Sequence, residues 1–251
     1  MQIADVILTT PVEGARLVRF RSLTGKDELA LFGCDYAAAV AWIAGMVEGG
    51  GTTLEGAAVE RLTIADGDRL FAALYRTLFG EAVELRQACQ TCPESFELSL
   101  DLGDILPEAS AAERQSITLP HGTAVRTPLL GDLLAAGRGE DLPTRVTVQP
   151  GGDTPEAIAA AIAQLAPATV ETIETECPHC GAPQAILFDL PRFFLRCAER
   201  ERDLLLRETH LLARTYGWGL AEILSLRRAD RHAIVRLATA ALAPRDRVQL
   251  A

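Results

Sequence analysis

The spacing of apolar and polar positions changes period several times along the chain, and each change marks an element. Over residues 1–34 short alternating runs, notably Arg16-Leu-Val-Arg-Phe-Arg21, are broken by turn residues, which predicts a strand or two before the first helix. A helical period starts at Asp35, a candidate N-cap, and carries Ala37, Val40, Trp42 and Ile43 to Val47 before the Gly49-Gly-Gly51 break. The next helix opens on Thr63-Ile-Ala-Asp66, a capping-box pattern, and sets Leu70, Leu74, Leu78 and Phe79 on one face. Its C-terminal glycine is Gly80.

The period then becomes two. Val83 and Leu85 alternate before Cys89, and Phe96, Leu98 and Leu100 alternate after Cys92, which predicts a β-hairpin with the cysteine pair at its turn. Residues 102–122 read as loop-rich, 129–136 as a short helix, and 141–152, around the strand-like Arg145-Val-Thr-Val148, as a crossing segment between subdomains. Asp153-Thr-Pro-Glu156 starts a helix through Ile158, Ile162 and Leu165 that Pro167 ends. The hairpin pattern returns with Val170 and Ile173 before Cys177, and Ile186 and Phe188 after Cys180. Asp189-Leu-Pro191 opens a long helix to Tyr216, with two more at about 219–226 and 229–242.

The chain has 251 residues, nearly half of them apolar, enough for one large domain or two small ones with a sizeable core. Its longest apolar stretches fall short of the roughly 20 residues that span a bilayer, so no membrane insertion is expected. Met1-Gln-Ile-Ala-Asp-Val lacks the basic and apolar regions of a secretory signal, which predicts a cytoplasmic protein. Reducing conditions there favour thiolate ligands over disulfides for the six cysteines. Cys34 and Cys197 stand alone in apolar surroundings and read as small buried hydrophobes. A net charge of −10, with Lys26 the sole lysine, argues against general nucleic-acid affinity. From Arg192 onward the balance reverses to twelve Arg against seven acids. A basic C-terminal part on an acidic body suits protein partners of mixed charge, or a solvated Arg-rich helix face.

Superposing Cys89 on Cys177 also aligns Leu85 with Ile173, Leu98 with Ile186, Leu100 with Phe188 and Asp101-Leu102 with Asp189-Leu190, so the chain carries a β-knuckle-β unit twice. Each unit supplies two thiolates, whereas a closed structural zinc site takes four in a tetrahedron. Cys89, Cys92, Cys177 and Cys180 are therefore the expected ligands of one structural Zn2+. In the second knuckle Gly181 follows the last ligand, where the chain must turn left-handed, while Pro93 occupies that place in the first. The 84 residues between Cys92 and Cys177 exceed a compact ribbon's roughly 15–20. The longer loop adds only about 1.5 kcal/mol of closure entropy, against a zinc-site free energy on the order of 10 kcal/mol.

Other chemistry is thin. The four histidines, His121, His179, His210 and His232, form no His-Glu-x-x-His, and there is no Gly-x-Ser-x-Gly or Walker lysine. His179, inside the second knuckle, reads as an exposed turn residue beside a saturated site, and Asp66/Asp68 as helix-start charges. Gly49-Gly-Gly51 follows a helix rather than a strand, so it reads as a connection and not a phosphate loop. No catalytic constellation emerges, and the expectation is a non-enzyme without a small-molecule substrate. Trp218, between Gly217 and Gly219 and near Arg227, Arg228 and Arg231, joins residue types that anchor interfaces, or else caps a local core. Two further classes stay open: a zinc-ribbon nucleic-acid or transcription adaptor, and a Cys-x-x-Cys thiol oxidoreductase, although both knuckles sit between strands rather than at a helix N-terminus.

Several segments together resemble the phage T4-type baseplate proteins also found in bacterial contractile injection systems. They are Leu62-Thr-Ile-Ala-Asp-Gly-Asp-Arg-Leu70 running into Ala72-Ala-Leu-Tyr-Arg-Thr-Leu-Phe-Gly80, the two knuckles, and His210-Leu-Leu-Ala-Arg-Thr-Tyr-Gly-Trp218 with Glu222-Ile-Leu-Ser-Leu226 and Arg227-Arg228. The resemblance implies a non-catalytic protein that is built into a contractile tail's baseplate or helps assemble it, with other baseplate or tail-tube subunits as partners. It thereby extends the expected location to a phage-tail-like particle. The expected fold is α+β: a zinc-ribbon-like pair of β-hairpin knuckles, a helical N-terminal part and a C-terminal three-helix segment. The expected boundaries are 1–82, 83–190 with an inserted α/β subdomain over 103–168, and 191–251.

Overall fold

Asp66, at the start of the chain's most strongly amphipathic early helix, is buried and does not face solvent as a helix-start charge would. The computed structural model that places it describes residues 5–31, 36–49, 52–54, 56–105, 115–166 and 170–242. The expected N-cap at Asp35, the lone Cys34, the second and third glycines of 49–51 and the helix stop at Pro167 lie outside those residues. The fold is α+β, with small antiparallel sheets, many helices and a helical C-terminal segment. The described residues form two compact units, one from 3–21 with 33–195 and one from 22–32 with 196–251.

The larger unit begins with a four-stranded sheet whose edge strand Val6–Val12 pairs with Ala15–Phe20 through a two-residue turn at Glu13 and Gly14, both left-handed. Pairing is irregular between Ile7 and Val12, and the N–H groups of Thr9 and Thr10 donate to the Asp66 carboxylate instead. The Tyr36–Ala44 helix buries Ala39, Val40, Trp42 and Ile43 as its period predicts. It stops earlier than expected, because Val47 belongs to the strand Val47–Gly49, which pairs with Ala15–Phe20. Tertiary pairing here overrides a helical period that the local sequence would have continued.

The Ile64–Phe79 helix follows the sequence expectation from cap to cap. Thr63 Oγ1 accepts from Asp66 N–H, and Gly80, at φ +93°, ends it. The capping box is only half made, since the Asp66 carboxylate turns to Thr9, Thr10 and Arg69. Gly67 sits in this helix because a Cβ there would lie 2.7 Å from Leu130 Cδ2. Leu130 begins the Leu130–Gly137 helix of a small inserted layer. That layer packs the sheet of Ser116–Thr118, Ala124–Arg126 and Thr147–Gln149 against the Pro155–Leu165 helix through Val125, Val146, Ala161 and Leu165. Arg145 and Val146, expected in a strand, lie in the Leu142–Val146 helical turn, which Asp141 caps by accepting from Thr144 N–H. The Thr147–Gln149 strand after it pairs with Ala124–Arg126, so this segment belongs to the inserted layer rather than crossing between subdomains. Asp132, nearly buried, takes a two-bond fork from Arg126 at 2.6 and 2.9 Å and a third bond from Arg145.

The smaller unit joins the Gly25–Ala30 helix to the C-terminal helices, although the sequence had placed residues 22–32 within an N-terminal region. The reason is a buried ion network. Arg231 binds Glu28 and Glu208, and Arg228 binds Glu28 and Glu201, each at 2.7–2.9 Å. Backbone bonds from Gly25 to Leu226 and from Arg228 to Leu23 complete the join. His232 Nε2 lies 3.4 Å from Glu208, and desolvation holds its imidazole below the usual range despite that carboxylate. The long helix spans Leu190–Tyr216, followed by Leu220–Ser225 and Arg228–Leu242, close to the expected ranges. Among the described residues no helix is long and apolar enough to cross a membrane.

Candidate metal centre

Both hairpins form with the same register. Ala82–Ala88 pairs with Ser95–Asp101 from Ala82↔Asp101 to Ala88↔Ser95, and Val170–Glu176 pairs with Pro183–Asp189 from Val170↔Asp189 to Glu176↔Pro183. Every pair in the second hairpin is its counterpart in the first moved by 88 residues, so the sequence repeat is also a structural one. It continues past the strands: helices begin at Leu102 and Leu190, and both leucines are fully buried.

One helix steadies the bases of both hairpins. Tyr75, on Ile64–Phe79, donates its hydroxyl to Ala82 O at the foot of the first hairpin. Its ring also lies 5.8 Å from Phe193, which packs on Phe188 at the foot of the second. Phe194 continues the aromatic layer to Trp42, Phe71 and Phe79. With the feet fixed, the tips meet over a small core of Phe96, Cys177 and Ile186, with Cys89, Cys92, Leu98 and Ile173 packed around it.

At the tips the sulfurs of Cys89, Cys92, Cys177 and Cys180 all lie within 4.8 Å of one another. Cys89 Sγ is 3.8 Å from Cys180 Sγ, and Cys92 Sγ is 3.9 Å from Cys177 Sγ. The first cysteine of each knuckle thus approaches the second of the other, the reciprocal pattern of a two-fold contact. These separations are far from the roughly 2.05 Å of a disulfide. They match the edge of about 3.8 Å in a tetrahedron of sulfurs at about 2.3 Å from a central ion. The donor set and its geometry fit a thiophilic metal ion, and the expected ligands are the residues brought together.

The turns aim their polar groups at this centre. Cys89 Sγ accepts from the N–H groups of Cys92 and Thr91, at 3.4 and 3.3 Å, and these bonds lower its thiol to about 6. For Cys92 a bond from the Glu94 backbone pulls the same way, but desolvation and the crowding of the other sulfurs outweigh it and push the thiol to about 12. Four thiolates this close cannot all be charged without a cation among them, so metal binding here releases protons. Each knuckle closes with an equivalent bond of 2.9 Å, Cys89 N–H to Glu94 O and Cys177 N–H to Ala182 O. The second has one more, from Gly181 N–H to Cys177 O at 2.8 Å, with Gly181 left-handed at φ +71°. Pro93 has no N–H to make it, which is the physical content of the missing glycine.

Gln184 was not singled out by the sequence reading. Almost fully buried, it accepts from Gln90 N–H of the opposite knuckle and donates to Ala182 O and Pro183 O, cross-linking the turns. The repeat held a signal for it: Gln184 stands where the first unit has buried Phe96, a polar side chain at an inward position. His179 is exposed on its turn and outside the ligand cluster. Cys197 is half-buried, and desolvation raises its thiol.

The expected contact residues divide. Arg231 is fully buried in the ion network and Arg228 is largely enclosed by it, so neither is presented to a partner as expected; burial charges that strongly requires internal pairing. Trp218 is half-buried against the cluster of Leu212, Ile223 and Ala238 and stacks on Tyr216 at 5.0 Å, the local-core placement. Arg227 alone of the three arginines is exposed. No family model, curated protein or solved structure matches the chain.

Proposed function

We propose that this protein is a non-enzymatic structural or assembly component of the baseplate of a contractile phage-tail-like particle or injection system, stapled by one zinc ion on Cys89, Cys92, Cys177 and Cys180. The observation that carries the zinc is the convergence of four sulfurs from hairpin tips 88 residues apart at tetrahedral spacing. Four thiolates leave no open coordination position, so the ion supports the fold and does not activate a substrate. The baseplate role rests on the resemblance carried by Leu62–Gly80 and by the Tyr216-Gly-Trp218 segment with its Glu222-Ile-Leu and Arg227-Arg228 continuation. Partners are then other baseplate or tail-tube subunits, and a stapled hairpin pair keeps one face rigid for them.

Two measurements test the halves separately. Elemental analysis of the purified chain is expected to give one zinc per molecule, and Cys92→Ser or Cys177→Ser to lose it; an unaltered metal content in both variants rejects the site. Deleting the gene in the cell that encodes it is expected to abolish complete contractile particles, and normal particles after deletion reject the baseplate role.

A further inference from the structure

The 27-residue helix Leu190–Tyr216 distributes its charges by face. Its inward acids, Glu201 and Glu208, are bound to Arg228 and Arg231. Outward it carries Arg196, Arg200, Arg207 and Arg214, all exposed. At about 100° per residue these four fall within an arc of about 40° and run for about 27 Å along the axis. Asp203 and Glu199, both exposed, border this strip, so the outer face carries four arginines and two acids, with His210 also exposed along it.

Three observations separate this strip from an ordinary solvated face. Among the described residues none of the four arginines makes an ion pair; the same holds for the exposed Arg138, Arg192, Arg227 and Arg236, but here four such arginines share one helix face. Like charges at i,i+4, as in Arg196 and Arg200, weaken a helix, and arginines outnumber acids four to two on this face. Leu204 and Leu206 flank the strip on its two sides and remain 45% and 48% exposed. Guanidinium forks beside apolar side chains are the composition of protein interfaces, whereas nucleic-acid surfaces belong to a chain with a positive overall field.

We propose that the outer face of this helix, from Arg196 to Arg214, is a docking surface for an acidic protein partner. The partner lays against it a helical segment whose carboxylates recur every three to four residues, pairing with the arginines while its apolar side chains cover Leu204 and Leu206. Charge complementarity sets the register, because each guanidinium donates two parallel hydrogen bonds to one carboxylate in a forked pair. This surface is distinct from the Trp218 region. It rests on the strip itself and not on the baseplate assignment, so the two can fail independently.

The test is a fluorescence-anisotropy titration of the full chain with a synthetic helical peptide carrying Glu in a three-four spacing and Leu beside it. The controls are a scrambled peptide of equal composition and a DNA duplex. The expected result is binding that weakens with salt and that Arg200→Glu/Arg207→Glu reduces about tenfold or more, while Arg236→Glu, on an exposed site elsewhere, leaves it unchanged. Circular dichroism is expected to show the double variant folded, since both side chains are exposed. Absence of binding, equal binding to the double variant or to the scrambled peptide, or tighter binding to DNA would each overturn the proposal. So would self-association of the native chain that the double variant abolishes, which would make a second copy the occupant.

Discussion

Asp66 illustrates how far a residue's neighbours in sequence can mislead about its work. Third in its helix, it has the position of a capping-box acid, and its own N–H does meet Thr63 Oγ1. Its carboxylate instead satisfies Thr9 N–H, Thr9 Oγ1 and Thr10 N–H on an edge strand more than fifty residues earlier, and pairs with Arg69 at 2.7 Å. That strand's own pairing is broken there, so without Asp66 two backbone donors lose their acceptor and Arg69 loses one of its partners. Asp66→Ala is therefore expected to cost about 3–5 kcal/mol of folding free energy, read from the shift of a chemical denaturation midpoint. A loss no larger than that of an exposed helix acid would show the strand to be held by other contacts. Arg231 teaches the same lesson in the smaller unit, where residues that read as an interface cluster turn out to be the interior of a buried ion network.

Among the elements, the hairpins were the most legible, because their period of two, their cysteine spacing and their repetition are all local properties. Their asymmetry is equally local. Gly181 holds a left-handed conformation and an extra bond to Cys177 O, whereas Pro93 turns the first knuckle without either. Gly181→Ala places a Cβ in a conformation that disfavours it by about 1 kcal/mol, and competition with a chromophoric chelator is expected to show correspondingly weaker metal binding. Pro93→Ala is expected to leave affinity nearly unchanged; an equal loss from both would mean that the turns' backbone conformation does not govern the site. Elements with weaker local signals were misread where pairing decided them. Val47 continues a helical period but joins a strand because Phe20 lies opposite it, and Arg145-Val146 reads as strand but coils into a turn that Asp141 caps.

At the scale of the whole molecule, metal removal is the most direct probe. The tips of the hairpins are joined by four sulfurs over a core of only Phe96, Cys177 and Ile186 with a few half-buried neighbours, too little apolar surface to hold two hairpins together. Stripping the metal with a strong chelator is expected to lower the melting temperature and to raise amide-exchange rates in residues 82–101 and 170–189. The Arg228–Leu242 helix, whose ion network contains none of the ligands, is expected to keep its protection. Full stability after verified metal loss would mean that the hairpin feet, and not their tips, carry the junction. The sequence by itself determined the α+β character, the knuckles, the four cysteines that cluster and the C-terminal helices, since periodicity, caps and cysteine spacing are written over a few neighbouring residues. Only the tertiary structure decided that Gln184 braces the opposite turn, that Glu28 draws residues 22–32 to the C-terminal helices and that Asp66 supports an edge strand. Each of these is a contact across many residues, set by how packed elements bring distant side chains together, and local pattern does not encode that distance.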